Sequence, residues 1–242
     1  MKTTVIIPTY NEAENIRKLI PILLELSIEN LHILVVDDNS RDNTGKIADE
    51  FAGQTNRVKV LHRHGKLGLG TAYIQGFQIA LDAGSDAVIQ MDADFSHPPH
   101  KIPELIEQIA HYDLVIGSRY VAGGNVDTEW AAWRKALSAF GNTYARTILS
   151  IKTRDITGGF RIFRADTLRK MPIQDVRSNG YIYQVEMTYI ASKMGFSIGE
   201  IPIYFAEREW GDSKMSFKIQ AEAALRTWKL LWDYRNLEPL ND

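Results

Sequence analysis

The chain has 242 residues, 45% hydrophobic and 24% charged, with a formal net charge of −2. That is room for one substantial core, and so small a net charge excludes a global electrostatic pull toward nucleic acid. The lack of cysteine excludes disulfides and thiolate–metal sites, while a start (MKTTVIIPTYNE) without the apolar region of a secretion signal and the lack of any apolar run near the roughly 18 to 20 residues that span a bilayer lead us to expect a cytoplasmic protein that can still lie on a membrane.

Strand and helix patterns alternate through the first half. Residues 3–8 (TTVIIP) form a short apolar β-rich run. Residues 12–26 have helical spacing, with Ile16, Leu19, Ile20, Leu23 and Leu24 on one side. Residues 31–37 (LHILVVD) predict a second strand. Asp42 or Asn43 caps a helix carrying Ile47 and Phe51, and residues 58–61 predict a third strand. A glycine loop at 65–70 (GKLGLG) enters a helix that runs through Ala83. Residues 87–91 predict a fourth strand, 99–110 a helix and 114–117 a fifth strand. Short apolar strands separated by helices predict an α/β fold, a mostly parallel sheet with helices on both faces. Such sheets bind ligands beyond the carboxyl ends of their strands. The polar clusters at 9–12 (TYNE), 37–40 (DDNS) and 92–94 (DAD) sit at such ends, so a site is expected along that edge.

The second half is less regular. Residues 129–151 read as a helix rich in alanine and aromatics, 155–164 (DITGGFRIFR) as a glycine turn entering a strand, 181–194 as a helix and 197–205 as a strand. Residues 207–214 (EREWGDSK) form a polar loop, and 216–231 an amphipathic helix. We divide the chain into residues 1–215, a catalytic domain, and 216–242, a C-terminal amphipathic helix and tail.

Asp92 and Asp94 follow the fourth strand. Residues i and i+2 of an extended segment face one side, so both carboxylates can point at one spot. Two hard oxygen ligands suit Mg²⁺ or Mn²⁺; an isolated D-x-D also reads as a solvated turn or a helix cap. The glycine loop before a helix can cradle phosphate or be a plain tight turn. His97 and His100 lie close enough for a His/Asp metal cluster, but the turn at Pro98-Pro99 favours a structural role for His97. Arg119, Arg134, Ser138, Arg208 and Lys214 are each readable as surface polar groups. Arg134 and Ser138 share a helix face, and together the cations can form a basin for anionic ligands. The aromatic face of the last helix, with Trp228 and Trp232 one turn apart, reads first as core and second as a membrane-interface face.

Read together, PTYNE at 8–12, VVDDNS at 35–40, GKLGLGTAY at 65–73, MDADFSHPP at 91–99, GSRY at 117–120, DITGGFR at 155–161, YQVEM at 183–187 and ER…G-S-K across 207–214 resemble the dolichyl-phosphate mannose synthases, polyprenyl-phosphate glycosyltransferases of inverting family 2. The resemblance runs in order over nearly the whole chain. It implies a GT-A (Rossmann-like) fold, GDP-mannose as sugar donor and a dolichyl or other polyprenyl phosphate as acceptor. Carried over by motif, Pro8, Tyr10, Glu12, Val36 and Asp38 would hold the nucleoside. Met91, Asp92, Ala93 and Asp94 would lie along the diphosphate, with Asp92, Asp94 and Ser96 on a Mg²⁺ or Mn²⁺ ion. Ser96 departs from relatives that place glutamine there. Arg119, Arg134, Ser138 and Arg208 would receive the acceptor phosphate, and Lys214 the donor phosphates. Asp94, Arg119 and Arg208 would be the catalytic residues. Some relatives continue into transmembrane helices; this chain is expected to dock on a membrane by its last helix or through a small membrane-anchoring partner subunit. The rival readings keep the fold with glucose or another sugar from a UDP-sugar, or retain nucleotide binding alone in a regulatory subunit. A nucleotidyltransferase lacks support, because the first strand carries no glycine-rich basic NTP signature.

Overall fold

The computed structural model describes residues 1–207 and 217–240. The first half follows the expected alternation: β1 (Thr3–Thr9), α1 (Ala13–Glu25), β2 (Leu31–Asp37), α2 (Thr44–Gln54), β3 (Val58–His62), α3 (Leu69–Asp82), β4 (Ala87–Gln90), α4 (Ile102–Gln108) and β5 (Leu114–Ser118). The second half adds β6 (Asn125–Val126), α5 (Ala132–Leu149), β7 (Arg161–Arg164), α6 (Ala165–Lys170), α7 (Tyr181–Lys193), β8 (Ile198–Pro202), β9 (Tyr204–Phe205) and α8 (Phe217–Asp233). Seven strands form one sheet in the order β3-β2-β1-β4-β7-β5-β8. All neighbours are parallel except β7, which runs antiparallel to both β4 and β5.

The central strands are buried on both sides because they are apolar at most positions. Side chains alternate between faces. Val5 and Ile7 of β1, Ile33 and Val35 of β2 and Ile89 of β4 meet Ile16, Leu19, Ile20 and Leu23 of α1 and Ile47 of α2. Ile6, Leu34, Val36 and Val88 point the other way, into a cluster with Tyr73 and Phe77 of α3 and Tyr183, Met187 and Ile190 of α7. α3 is drawn close at Gly76, where any Cβ would lie 2.6 Å from Ile6 Cγ2.

Some boundaries differ from expectation for local reasons. Asp42, rather than Asn43, serves the start of α2. Its Oδ1 accepts the Thr44 N–H at 3.1 Å, while its Oδ2 accepts the Ala13 N–H at 3.0 Å and so ties the starts of α1 and α2 together. Residues 197–205 are two strands, since β8 joins the main sheet and β9 leaves it to pair with β6. The aromatic face of α8 is not core: Trp228 and Trp232 are 58% and 67% exposed, and Leu230 provides the buried contact. Among the described residues, no helix is long and apolar enough to cross a membrane.

Candidate active site

β1 lies between β2 and β4 in parallel register, so the three expected polar clusters stand side by side at one edge. Beyond the strand ends the chain passes through left-handed residues: Asn11 (φ 60°), Asn39 (φ 59°) and Phe95 (φ 62°). Asparagine tolerates this conformation better than most residues, and here each amide also ties its turn to a neighbouring loop. Asn11 Oδ1 accepts the Arg41 N–H at 2.9 Å, and Asn39 Nδ2 donates to the His64 carbonyl at 3.3 Å. A phenyl ring offers no such help, so Phe95 stores strain on the order of 1–3 kcal/mol. That strain sits directly after Asp94.

A cleft of about 230 Å³ opens at this edge. Pro8 lines it from β1, Tyr10 and Glu12 from just past β1, Asp38 from just past β2, and Asp92, Ala93 and Asp94 from just past β4. Seven of the expected donor-side residues thus converge. Two do not: Val36 and Met91 are fully buried in the two halves of the core, because the strand alternation turns their side chains away from the edge. Lys66, Gly68 and Leu69 of the glycine loop complete the lining. Lys66 Nζ stands 4.1 Å from the Tyr10 ring centroid, and the Leu67 N–H donates to Asp38 Oδ2 at 3.2 Å. Gly68 adopts φ 101°, and a Cβ there would lie 2.7 Å from Asn179 Oδ1. The loop is therefore a tight turn and a cleft wall at once. Lys66 is a cleft-lining residue that residue-type reasoning passed over; its place in the glycine loop was the available signal.

The carboxylates here are held in different ways. Asp38 Oδ1 pairs with the buried Arg63 at 2.7 Å. Burial pushes the Asp38 carboxyl up, against the opposing pull of Arg63 and of the Leu67 N–H. Asp92 Oδ1 accepts the Tyr73 phenol at 2.9 Å. Burial first, and then the Asp92 charge, raise that phenol well above its ordinary range, so it remains a donor. Asp94 Oδ1 accepts both the N–H and the hydroxyl of Ser96, at 3.1 and 2.6 Å. Ser96, expected as a further metal ligand, is 1% exposed and donates its proton to Asp94. His97 Nδ1 accepts the Asp92 N–H at 2.9 Å, and its ring stacks on Phe160, which is the structural role expected of it. Among the described residues no group of three or more His, Cys, Asp or Glu is assembled to hold a metal. The donor set of Asp92 and Asp94, hard oxygens lining an open cleft, fits an ion of the Mg²⁺ or Mn²⁺ type that takes its other ligands from substrate phosphates and water.

The expected acceptor residues form a second cluster, reached from His97 through aromatic rings. Phe205 meets His97 at 5.8 Å and Trp130 at 5.8 Å between centroids. Arg134 lies over Trp130 at 3.8 Å and pairs with Glu207 at 2.7 Å. Ser138 shares a 2.9 Å hydrogen bond with the Tyr120 hydroxyl. Arg119 differs from the expectation of an open phosphate receptor. Its Nε and Nη2 bond bidentately to Asp155 at 2.8 and 2.7 Å, and Nη2 also reaches Thr157 at 2.6 Å. Burial alone would raise the Asp155 carboxyl; the Arg119 charge and hydrogen bonds outweigh it, and the net shift is downward. Arg208 and Lys214 lie outside the described residues.

A seven-stranded, mostly parallel sheet with a carboxylate-bearing cleft at its strand ends defines a GT-A-like fold. Residues 4–171 match the family described as Glycosyl transferase family 2, and the chain belongs to that family. It is 45% identical over 225 residues to an undecaprenyl-phosphate mannosyltransferase of Micrococcus luteus, covering 93% of this chain and 92% of that one. It is 47% identical over 227 residues to a polyprenol monophosphomannose synthase of Mycolicibacterium smegmatis, covering 93% and 85%. Among solved structures, glucosyl-3-phosphoglycerate synthase from Mycobacterium tuberculosis in complex with Mn²⁺, UDP and glucosyl-3-phosphoglycerate matches with a TM-score of 0.67, at 16% identity, over 99% of this chain and 81% of that one. That likeness is one of fold.

Proposed function

We propose that this chain transfers mannose from GDP-mannose to a polyprenyl phosphate, with inversion at the anomeric carbon. The observation that carries the reading is the convergence of Tyr10, Glu12, Asp38, Asp92 and Asp94 on one cleft, in a chain 45% and 47% identical to enzymes named for making polyprenyl-phosphate mannose. Asp38 and Tyr10 hold the nucleoside, and Lys66 lies by the diphosphate. Asp92 and Asp94 would hold a divalent ion, whose charge neutralises the departing GDP. The acceptor is already an anion, so no general base is required. A phosphate oxygen forms the bond to the anomeric carbon as the bond to GDP breaks, and the chain's part is to align the two. Arg134 and Ser138 receive that phosphate, with Arg208 as a further candidate; Arg119 is bonded to Asp155 beside the Tyr120 and Phe205 rings.

A membrane surface suits the acceptor. Trp133 and Phe140 of α5 and Leu225, Trp228 and Trp232 of α8 are all more than half exposed. The two helices are joined where Trp228 Nε1 donates to the Tyr144 hydroxyl at 3.0 Å and Phe140 stacks on Tyr144. Arg134 and Ser138 are carried on the same helix as Trp133 and Phe140, as a lipid with a phosphate head would require. The test uses purified chain, labelled GDP-mannose, polyprenyl phosphate in detergent and Mg²⁺, with UDP-glucose in parallel. Label entering the organic phase from GDP-mannose alone is the expected result. Label from UDP-glucose alone overturns the donor, and label from neither overturns the transfer reaction.

A further inference from the structure

We propose that Tyr73 is a positioning residue whose phenol aims Asp92 at the metal–diphosphate while leaving the carboxylate its full charge. The inference rests on the donor-cleft reading above. Its motive is a contrast among four aspartates, three lining the cleft and one in the neighbouring cluster. Asp38 and Asp155 are each bound to a buried guanidinium, Arg63 at 2.7 Å and Arg119 at 2.7 Å. A cation at that distance cancels their charge, so neither attracts a metal ion strongly. Asp92 instead accepts from a neutral hydroxyl, Tyr73 at 2.9 Å, and Asp94 accepts from the Ser96 hydroxyl at 2.6 Å. A neutral donor fixes a carboxylate's direction without neutralising it.

Of the two, the Tyr73 contact comes from a distant element and is rigidly set. Ser96 is two residues from Asp94 in the same turn. Tyr73 sits on α3, fully buried, with its ring parallel to that of Tyr183 at 5.8 Å and 8° and stacked against Phe77 at 6.3 Å. α3 cannot slide along the sheet. Gly70 abuts the Ser178 carbonyl and the Tyr183 ring, and Gly76 abuts Ile6, with distances to an added Cβ of 2.7, 2.9 and 2.6 Å. The phenol oxygen therefore has one place to be. Asp92 lies past the end of β4, where its carboxylate would otherwise choose among rotamers. Oδ1 is claimed by Tyr73, and the Asp92 N–H is claimed by His97. Asp92 lines the cleft, and Oδ2 is the oxygen that Tyr73 does not take.

The experiment compares the full chain with Tyr73→Phe, Asp92→Asn and the double variant. The probes are Mn²⁺ binding followed by electron paramagnetic resonance in the presence of GDP, GDP binding in metal-free buffer, and thermal unfolding without ligand. The expected result is Mn²⁺ binding weakened on the order of 10–100-fold in Tyr73→Phe, with metal-free GDP binding unchanged. The double variant binds Mn²⁺ no worse than Asp92→Asn alone, since Tyr73 acts through Asp92. Wild-type Mn²⁺ affinity in Tyr73→Phe, beside a clear loss in Asp92→Asn, overturns the positioning role and leaves the cleft reading intact. Wild-type affinity in Asp92→Asn overturns both. An equal loss of metal-free GDP binding or a collapsed unfolding transition in Tyr73→Phe also overturns the proposal, because ring packing rather than the hydroxyl would then be at work.

Discussion

Asp155 carries no exposure and pairs with an Arg119 side chain that is itself 7% exposed. Replacing Asp155 with alanine strands the guanidinium, at a cost of about 3–5 kcal/mol, which urea unfolding measures. The pair also has a defined pH dependence. The folded carboxyl titrates below its ordinary 3.8, so its stabilisation is fully present above that pH and is lost as pH falls through the lower folded value. The acid limb of a pH–melting profile should flatten in Asp155→Asn. At the cleft, Asp94→Ala is expected to abolish metal-dependent transfer while leaving the melting temperature within a few degrees; retained turnover removes Asp94 from the chemistry. Met91→Ala behaves in the opposite way. As a core truncation it costs about 2–5 kcal/mol, and the KM for the sugar donor in the folded enzyme stays at the wild-type value.

The elements explain why the sequence was readable in some places and opaque in others. In β1, β2 and β4 the apolar run, the strand end and the polar cluster coincide, and parallel neighbours must place those ends on one edge. Asp38, Asp92 and Asp94 could thus be assigned to one cleft from their order alone. Val36 and Met91 could not be separated from them, because a motif gives adjacency along the chain while the pleat decides which side chain turns inward. β7 was read as a strand, but its direction was not: an antiparallel insertion between β4 and β5 leaves no mark in a four-residue stretch (Arg161–Arg164). Arg161 itself is fully buried, bonded to the carbonyls of Gly158 and Gln184 and to the Thr188 hydroxyl, and burial depresses its pKa to about 10. An arginine satisfied by carbonyls is invisible to any rule that looks for a carboxylate partner. β6 and β9 are two residues each, too short for a period-2 signal. α8 shows the converse failure. Its apolar spacing predicts a buried face correctly at Leu230, but the tryptophans lie on another face, and composition alone cannot tell a core aromatic from an exposed one.

At the scale of the whole molecule, the proposed function has the cleft and the aromatic ledge serve different phases. The cleft is a polar edge of the sheet, open to water. The ledge spans α5 and α8, with Arg235 over Trp232 at 4.3 Å and an exposed Lys229 near its rim, a mixture of aromatics and cations suited to a membrane interface. On the proposed function, the phosphate of a polyprenyl lipid would meet Arg134 and Ser138 while its chain stays in the apolar phase. Two exposed tryptophans buried in an interface contribute a few kcal/mol by area, enough for more than a tenfold change in partitioning. The Trp228→Ala, Trp232→Ala double variant should therefore co-sediment with vesicles at least about tenfold more weakly than the wild type. Its turnover of long-chain polyprenyl phosphate presented in those vesicles should fall in parallel. Turnover of a short-chain, water-soluble polyprenyl phosphate should not change, because nothing in the cleft has been touched. Equal losses on both acceptors would place the tryptophans in the fold of α8 against α5 rather than on lipid, and unchanged co-sedimentation would remove the ledge as the docking face.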